Sequence, residues 1–165
     1  MKDSLSFVTD FYEFTMSNGY FNKSMQSTIA YFDVFFRKIP DNGGYAIVAG
    51  LEQVIDYITH LQFSKEDISY LREQNQFSEE FLQYLENFHF TGSIWAIPEG
   101  TVVFPNEPLL TVKAPIIEAQ LLETMLLLTL NHQSLIATKT SRIVKAAKGI
   151  PVMEFGARRA HGVDA

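Results

Sequence analysis

Residues 92–115 read GSIWAIPEGTVVFPNEPLLTVKAP. Short apolar runs alternate with PEG, PNEP and KAP, whose proline, glycine and asparagine residues interrupt a ladder and turn the chain. The pattern predicts several short strands joined by tight turns, a compact β-module. Toward the C-terminus, Pro115 suits the start of a helix, and helical apolar spacing continues through LLETMLLLTL to Lys148, with a break expected near Asn131 to Ser134. Gly149 ends that helix, and PVMEF, residues 151–155, follows as one buried strand. A helix handing over to such a strand opens an α/β unit whose partner strand does not follow, so the chain is expected to be the front part of a longer protein.

Toward the N-terminus the pattern turns helical. Ser64 and Ser78 are cap residues, each followed by acids and then by apolar positions: Ile68 and Leu71 after the first, Phe81, Leu82 and Leu85 after the second. Leu51, Val54, Ile55, Ile58 and Leu61 recur at helical spacing behind a short strand, YAIVAG. DNGG, residues 41–44, turns the chain, and Gly43 and Gly44 read as structural. Before it, TIAYFDVFFR is rich in aromatic and β-branched residues with Asp33 as its one acid, which predicts a largely buried strand. Thr9 and Asp10 are capping types ahead of Phe11, Phe14, Met16 and Tyr20, a short helix expected to stop near Gly19.

Composition narrows the function classes. The 165 residues are 47% hydrophobic and 13% aromatic, enough for a real core in one or two small domains. A net charge of -6 and an isoelectric point near 5.2 argue against nonspecific nucleic-acid binding and against attraction to anionic membranes, since both need surplus Lys and Arg. An anionic ligand must therefore be held by locally placed cations. The absence of cysteine excludes disulfides, thiolate metal sites and Cys nucleophiles, and agrees with a cytoplasmic location. MKDSLSFVTDFYEF lacks the apolar core and cleavage site of a signal peptide and reads as mature sequence. The most apolar run, Leu121 to Leu130, is interrupted by Glu123 and too short to span a membrane, which leaves a core helix.

EFGARRAHG, residues 154–162, stands where the last expected strand hands over to a loop. Phe155 offers a flat apolar face, Gly156 permits close backbone approach, and Arg158 offers a rigid fork of donors for phosphate or carboxylate. On these residues alone the signal is weak, and a core phenylalanine and a salt-bridged arginine are the more common explanation of such a segment. Tyr12 as an amphipathic core residue and Arg37 as a solvated strand end are comparable alternatives. His161 has no second His, Cys or acid at ligand spacing, so no metal ligand is assigned. GxxxxGK[ST], HExxH and GxSxG patterns are all absent.

Four segments in one order add a further argument. TDFYEFTMSNGYF (9–21), YFDVFFRKIPDNGGYAIVAGLE (31–52), PEGTVVFPNEPLLTVKAP with the helical stretch after it (98–143) and PVMEFGARRAHGVDA (151–165) together resemble the N-terminal part of the nicotinate phosphoribosyltransferase family, the type II phosphoribosyltransferases. The resemblance runs from residue 1 to the last. It implies an α+β chain: residues 1–148 form an N-terminal domain of helices and a small β-sandwich-like module with its connecting long helix. Residues 149–165 then begin a truncated, incomplete α/β barrel. It implies an ATP-dependent enzyme of NAD biosynthesis, classed as a ligase, that joins nicotinate and phosphoribosyl pyrophosphate into nicotinate mononucleotide and pyrophosphate, with Mg and ATP as cofactors. No catalytic residue is expected in this portion, the phosphorylated histidine lying downstream.

The resemblance also places substrate-binding residues. Phe155 is expected to stack on one face of the pyridine ring and Tyr12 to cover the other, an arrangement suited to an electron-poor flat ring. Arg158 and Arg37 resemble phosphate-gripping arginines. Tyr12 and Arg37 are expected to reach the neighbouring subunit's site, which implies a homodimer. Nicotinamide and quinolinate phosphoribosyltransferases are the alternatives within the class. A biotinyl or lipoyl-like carrier is the alternative outside it, and it needs a modifiable lysine at a hairpin tip. Residues 92–111 contain no lysine, and Lys113 stands at a strand exit.

Overall fold

A computed structural model describes residues 5–160, so His161 and the residues after it lie outside the described part. In chain order the elements are α1 (Phe11–Asn22), β1 (Ile29–Phe35), β2 (Ala46–Ile47), α2 (Leu51–His60), α3 (Lys65–Glu73), α4 (Glu79–Glu86), β3 (Ser93–Ala96), β4 (Val102–Val103), β5 (Pro108–Pro115), α5 (Ile116–Gln120) and α6 (Glu123–Ala147). Single 3₁₀ turns lie at Pro40–Asn42 and Ala157–Arg159.

Local chemistry starts the middle helices as expected. Ser64 accepts the Asp67 N–H at 3.1 Å while Asp67 accepts the Ser64 N–H at 2.8 Å, a reciprocal box at the head of α3. Ser78 accepts the Phe81 N–H and starts α4. The head of α2 is capped from a distance: Glu99 accepts the Gly50 and Leu51 N–H groups at 2.5 and 2.7 Å, its charge complementing the positive helix end. On α2, Tyr57 takes an inward place and Ile55 is left exposed.

α1 runs through Gly19, where a stop was expected. One glycine in a helix costs about 1 kcal/mol, less than the burial of Phe14 on the same helix returns. The inward face of α1 is Glu13, Phe14 and Ser17, whereas Phe11 and Met16 face out. β1 forms, but it is not largely buried: Tyr31, Asp33 and Phe35 point outward while Ala30, Phe32 and Val34 are half-buried. It is an edge strand whose one ladder partner is β5, so one face meets water.

The expected β-module does not stand alone. β5 is the centre of an antiparallel sheet with β1 on one side (Phe32 opposite Val112) and β3 on the other (Trp95 opposite Thr111). β4 pairs instead with β2, Ala46 opposite Val103. The sandwich-like module is therefore corrected to two small sheets, each using a strand from before residue 50. β5 joins their cores because its faces alternate. Leu110, Val112 and Ala114 enter the main core with α2, α4 and α5, and Leu109 enters a second cluster with Phe36, Ile39, Val48 and Val103.

The long helical stretch differs from expectation in where it breaks. The break falls at Leu121 and Leu122, between α5 and α6, and Asn131 to Ser134 is continuous helix. Ser134 does not disturb the helix because its hydroxyl accepts the Ala49 N–H at 3.1 Å and donates to the Ala49 carbonyl at 3.2 Å. Thr138, one turn on, accepts the Ile47 N–H at 2.8 Å. Together they occupy the backbone edge that β4 leaves open on β2. The helix ends as expected, with Lys148 and Gly149 both at positive φ. Residues 151–155 form no strand. A strand is a pairing, and none of the described strands lies alongside to supply one, so Val152, Met153 and Phe155 stand exposed.

Candidate functional site

The half-buried face of β1 and the first turns of α6 do not close on each other. A groove of about 440 Å³ lies between them, lined by Phe32, Val34 and Arg37 on one side and by Glu123, Leu126 and Leu127 on the other, with Tyr31 and Asp33 at its rim. A second hollow of about 310 Å³ shares Val34, Phe35 and Leu127 and adds Leu128 and Asn131. The walls are mostly apolar. Asp33 is tied to the Thr111 hydroxyl at 2.5 Å, and among the described residues Arg37, just past the end of β1, is the groove's one cation.

Tyr12 stands at the same end, half-exposed on α1, its phenol hydrogen-bonded to Glu123, the first residue of α6. Its phenol is pushed up to about 12, first by partial burial and then by the hydrogen bond and negative charge of Glu123, with Glu13 and Asp10 adding to it. Glu123 also accepts the Gln120 amide at 2.8 Å. Glu123 thus neighbours Tyr12 and also lines the groove that holds Arg37, whereas Tyr12 itself is not one of the groove's lining residues.

Phe155 and Arg158 lie elsewhere. α6 has 25 residues, about 37 Å at a rise of about 1.5 Å each, and Phe155 comes eight positions after its last residue. The Phe155 ring is 79% exposed and so is not stacked on Tyr12 or any other ring. Arg158 and Arg159 share the 3₁₀ turn Ala157–Arg159, exposed, and neither forms an ion pair among the described residues. Gly156 has an ordinary φ of -92°. A Cβ there would meet the Glu154 carboxylate at 2.1 Å, so the glycine makes room for that side chain. Within one chain the four expected residues fall into two separate pairs, Tyr12 and Arg37 near the head of α6 and Phe155 and Arg158 beyond its C-terminal end.

Several residues that build this end of the molecule carry no mark in the sequence. Glu13 is fully buried, and its carboxylate accepts the Thr124 N–H at 3.2 Å, the Thr124 hydroxyl, and the Thr9 hydroxyl at 2.5 Å. Burial pushes its pKa up against the lowering effect of those bonds, and the nearby Glu123 charge adds to the rise. Its one sequence hint is an acid beside Phe14 on a face that must turn inward. Arg142 stacks over Tyr45, donates to the Tyr45 carbonyl at 3.2 Å and fills the space at Gly43. The Tyr45 phenol is lowered, chiefly by its hydrogen bond to Ser141 and further by Arg142. Lys113 lies within β5 over the Tyr31 ring, not at a hairpin tip as a carrier would need. Among the described residues no group of three or more His, Asp or Glu gathers as a metal site, and no helix is long and apolar enough to cross a membrane.

The family model of the nicotinate phosphoribosyltransferase N-terminal domain matches residues 7–131. A nicotinate phosphoribosyltransferase of Mycobacterium tuberculosis is 51% identical over 95% of this chain and 34% of its own length. The Bacillus subtilis enzyme of the same name is 45% identical over 99% of this chain and 33% of its own. Among solved structures, human nicotinic acid phosphoribosyltransferase superposes with a TM-score of 0.85 at 33% identity, covering 94% of this chain and 32% of that one. Nicotinate-nucleotide pyrophosphorylase from Pyrococcus furiosus superposes with a TM-score of 0.74 at 25% identity, covering 98% and 34%. The chain spans about a third of the length of the curated relatives it matches. With the match extending from α1 into α6 and the fold shared across both sheets, the chain belongs to the nicotinate phosphoribosyltransferase N-terminal domain family.

Proposed function

We propose that the chain is the N-terminal portion of an enzyme that joins nicotinate to phosphoribosyl pyrophosphate, giving nicotinate mononucleotide and pyrophosphate with ATP hydrolysis. The observation that carries this reading is the 51% identity spread over 157 residues of a protein with that activity in its name. In the reaction the pyridine nitrogen forms a bond to the ribose anomeric carbon as the bond to the pyrophosphate oxygen breaks. Charge builds on the leaving group, and fixed guanidinium donors hold it. Arg158 and Arg37 are the proposed donors, Phe155 and Tyr12 the proposed faces of the ring pocket.

The two pairs at opposite ends of α6 support a homodimer in which Tyr12 and Arg37 of one subunit complete the site of the other. Residues 149–165 are proposed to open the barrel domain. The described residues offer Mg no cage of three ligands. A magnesium ion is proposed to ride on the pyrophosphate oxygens, and ATP to serve a histidine outside this third of the enzyme. The position of Lys113 within a strand does not favour the carrier alternative.

The test is a product assay on the full-length protein with nicotinate, nicotinamide and quinolinate offered in parallel. Nicotinate mononucleotide and pyrophosphate are expected in equal amounts from nicotinate with phosphoribosyl pyrophosphate, ATP and Mg. Turnover of nicotinamide or quinolinate in preference to nicotinate would replace this reading with the corresponding alternative.

A further inference from the structure

Outside the proposed substrate residues, three buried or clamped groups hold unused chemistry: Glu118, Arg142 and Glu13. Glu118 accepts the Thr91 N–H and hydroxyl, and Arg142 is committed to the turn at Tyr45, so both have purely local partners. Glu13 is different because its partners adjoin a proposed site residue. Its carboxylate is fully buried, and no cation pairs with it among the described residues, an arrangement that is costly to hold unless hydrogen bonds satisfy it.

Those bonds form a short relay across the α5–α6 break. The Asp10 N–H donates to the Thr124 hydroxyl at 3.2 Å, and that hydroxyl and the Thr124 N–H both donate to Glu13. Thr124 follows Glu123, and Glu13 follows Tyr12, so two consecutive residues of α1 are matched to two consecutive residues of α6. The Phe14 ring, edge-on to Phe7, Phe63 and Phe77, anchors α1 in the core. Such apolar contact is not directional, whereas hydrogen bonds are, so the polar pair sets how α1 is turned about its axis.

We propose that Glu13, acting through Thr124, is a positioning residue for Tyr12: it turns α1 against α6 so that the Tyr12 ring stands beside Glu123 at the head of α6. The kinetic consequence rests on the reading that Tyr12 covers nicotinate. The structural consequence does not.

The test uses the full-length protein carrying tyrosine labelled with carbon-13 at Cζ, the Tyr12 resonance being assigned by its loss in Tyr12→Phe. Thr124→Val keeps the side-chain shape and removes the hydroxyl. It is expected to move the Tyr12 resonance and leave that of Tyr84 in place, with Thr124→Ser restoring the original position. The KM for nicotinate should rise about tenfold, the scale of one lost hydrogen bond to a charged group, while kcat changes by less than about threefold. In a Tyr12→Ala background, where turnover is too low to give a KM, the same substitution should add nothing to the Kd for nicotinate read by calorimetry, because its effect passes through Tyr12.

A folded Thr124→Val protein with an unmoved Tyr12 resonance overturns the proposal, as does an equal rise in the Kd for nicotinate in both backgrounds. If the unmodified protein makes no nicotinate mononucleotide, the functional reading fails and the resonance alone decides the positioning role. Should Thr124→Val not fold, Glu13→Asp, which withdraws the carboxylate by one methylene, takes its place under the same criteria.

Discussion

Arg158 is an exposed guanidinium without an ion pair among the described residues, on a turn next to an exposed ring. A fork of donors with no ion pair among the described residues is available to an anionic substrate. In the full-length enzyme Arg158→Ala should raise the KM for phosphoribosyl pyrophosphate and lower kcat, a loss of roughly 1.5 to 3 kcal/mol for one charge-assisted contact. Arg158→Lys should recover only part of it, since an ammonium lacks the planar fork. Steady-state kinetics unchanged in the Ala variant would remove Arg158 from the site. Glu13 makes a different prediction, about stability. A carboxyl whose folded pKa is raised contributes stability that is full below its ordinary value of 4.5 and is lost as the pH rises through the raised value. Glu13→Gln has no such dependence, so its melting temperature should gain on that of the unmodified protein as the pH rises from 4.5 toward neutrality. A gap that stays constant with pH would mean that Glu13 does not titrate there.

At the scale of elements, helices with local caps and helices with distant caps should respond differently to substitution. The α3 box lies within four residues, so Ser64→Ala is expected to cost about 1 kcal/mol, read as a lower midpoint in urea with an unchanged slope. A cost near zero would show that the cap has an equivalent substitute in water. The heads of α2 and α6 are held by Glu99 and Glu13, 48 and 111 positions away from Leu51 and Thr124. This contrast explains what could be read in the sequence. Ser64 and Ser78 were legible because cap and helix are neighbours in the chain. The α5–α6 break was misplaced because its partner sits on α1, and Asn131 to Ser134 was read as a break because Ser134 finds Ala49 only after folding.

Across the whole molecule, the separation of the two pairs by the length of α6 carries the dimer proposal. Full-length Tyr12→Ala and Phe155→Ala proteins should each be nearly inactive. Mixed after confirmed subunit exchange, they should regain part of the activity, because a mixed dimer holds one site with both rings and one with neither. A mixture no more active than its parents would place Tyr12 in its own subunit's site. The same separation explains why the proposed site residues could be picked out from motifs but not assembled from them: spacing along a sequence does not say that a 25-residue helix stands between the two pairs.

By itself the sequence determined the elements that close within a few residues: the helices begun by Ser64 and Ser78, the turn at 41–44, the short strands after Ser93, and the stop at Lys148 and Gly149. It also marked, through four ordered segments, the family to which the chain belongs. Tertiary structure alone decided which strands pair, that β1 is an edge, where the long helix breaks, and that Glu13 and Glu99 are caps. The physical reason is the reach of the interactions. Propensity, caps and turns are energies of neighbouring residues, whereas sheet pairing and buried carboxylates are satisfied only by groups that the folded chain brings together from far along its length.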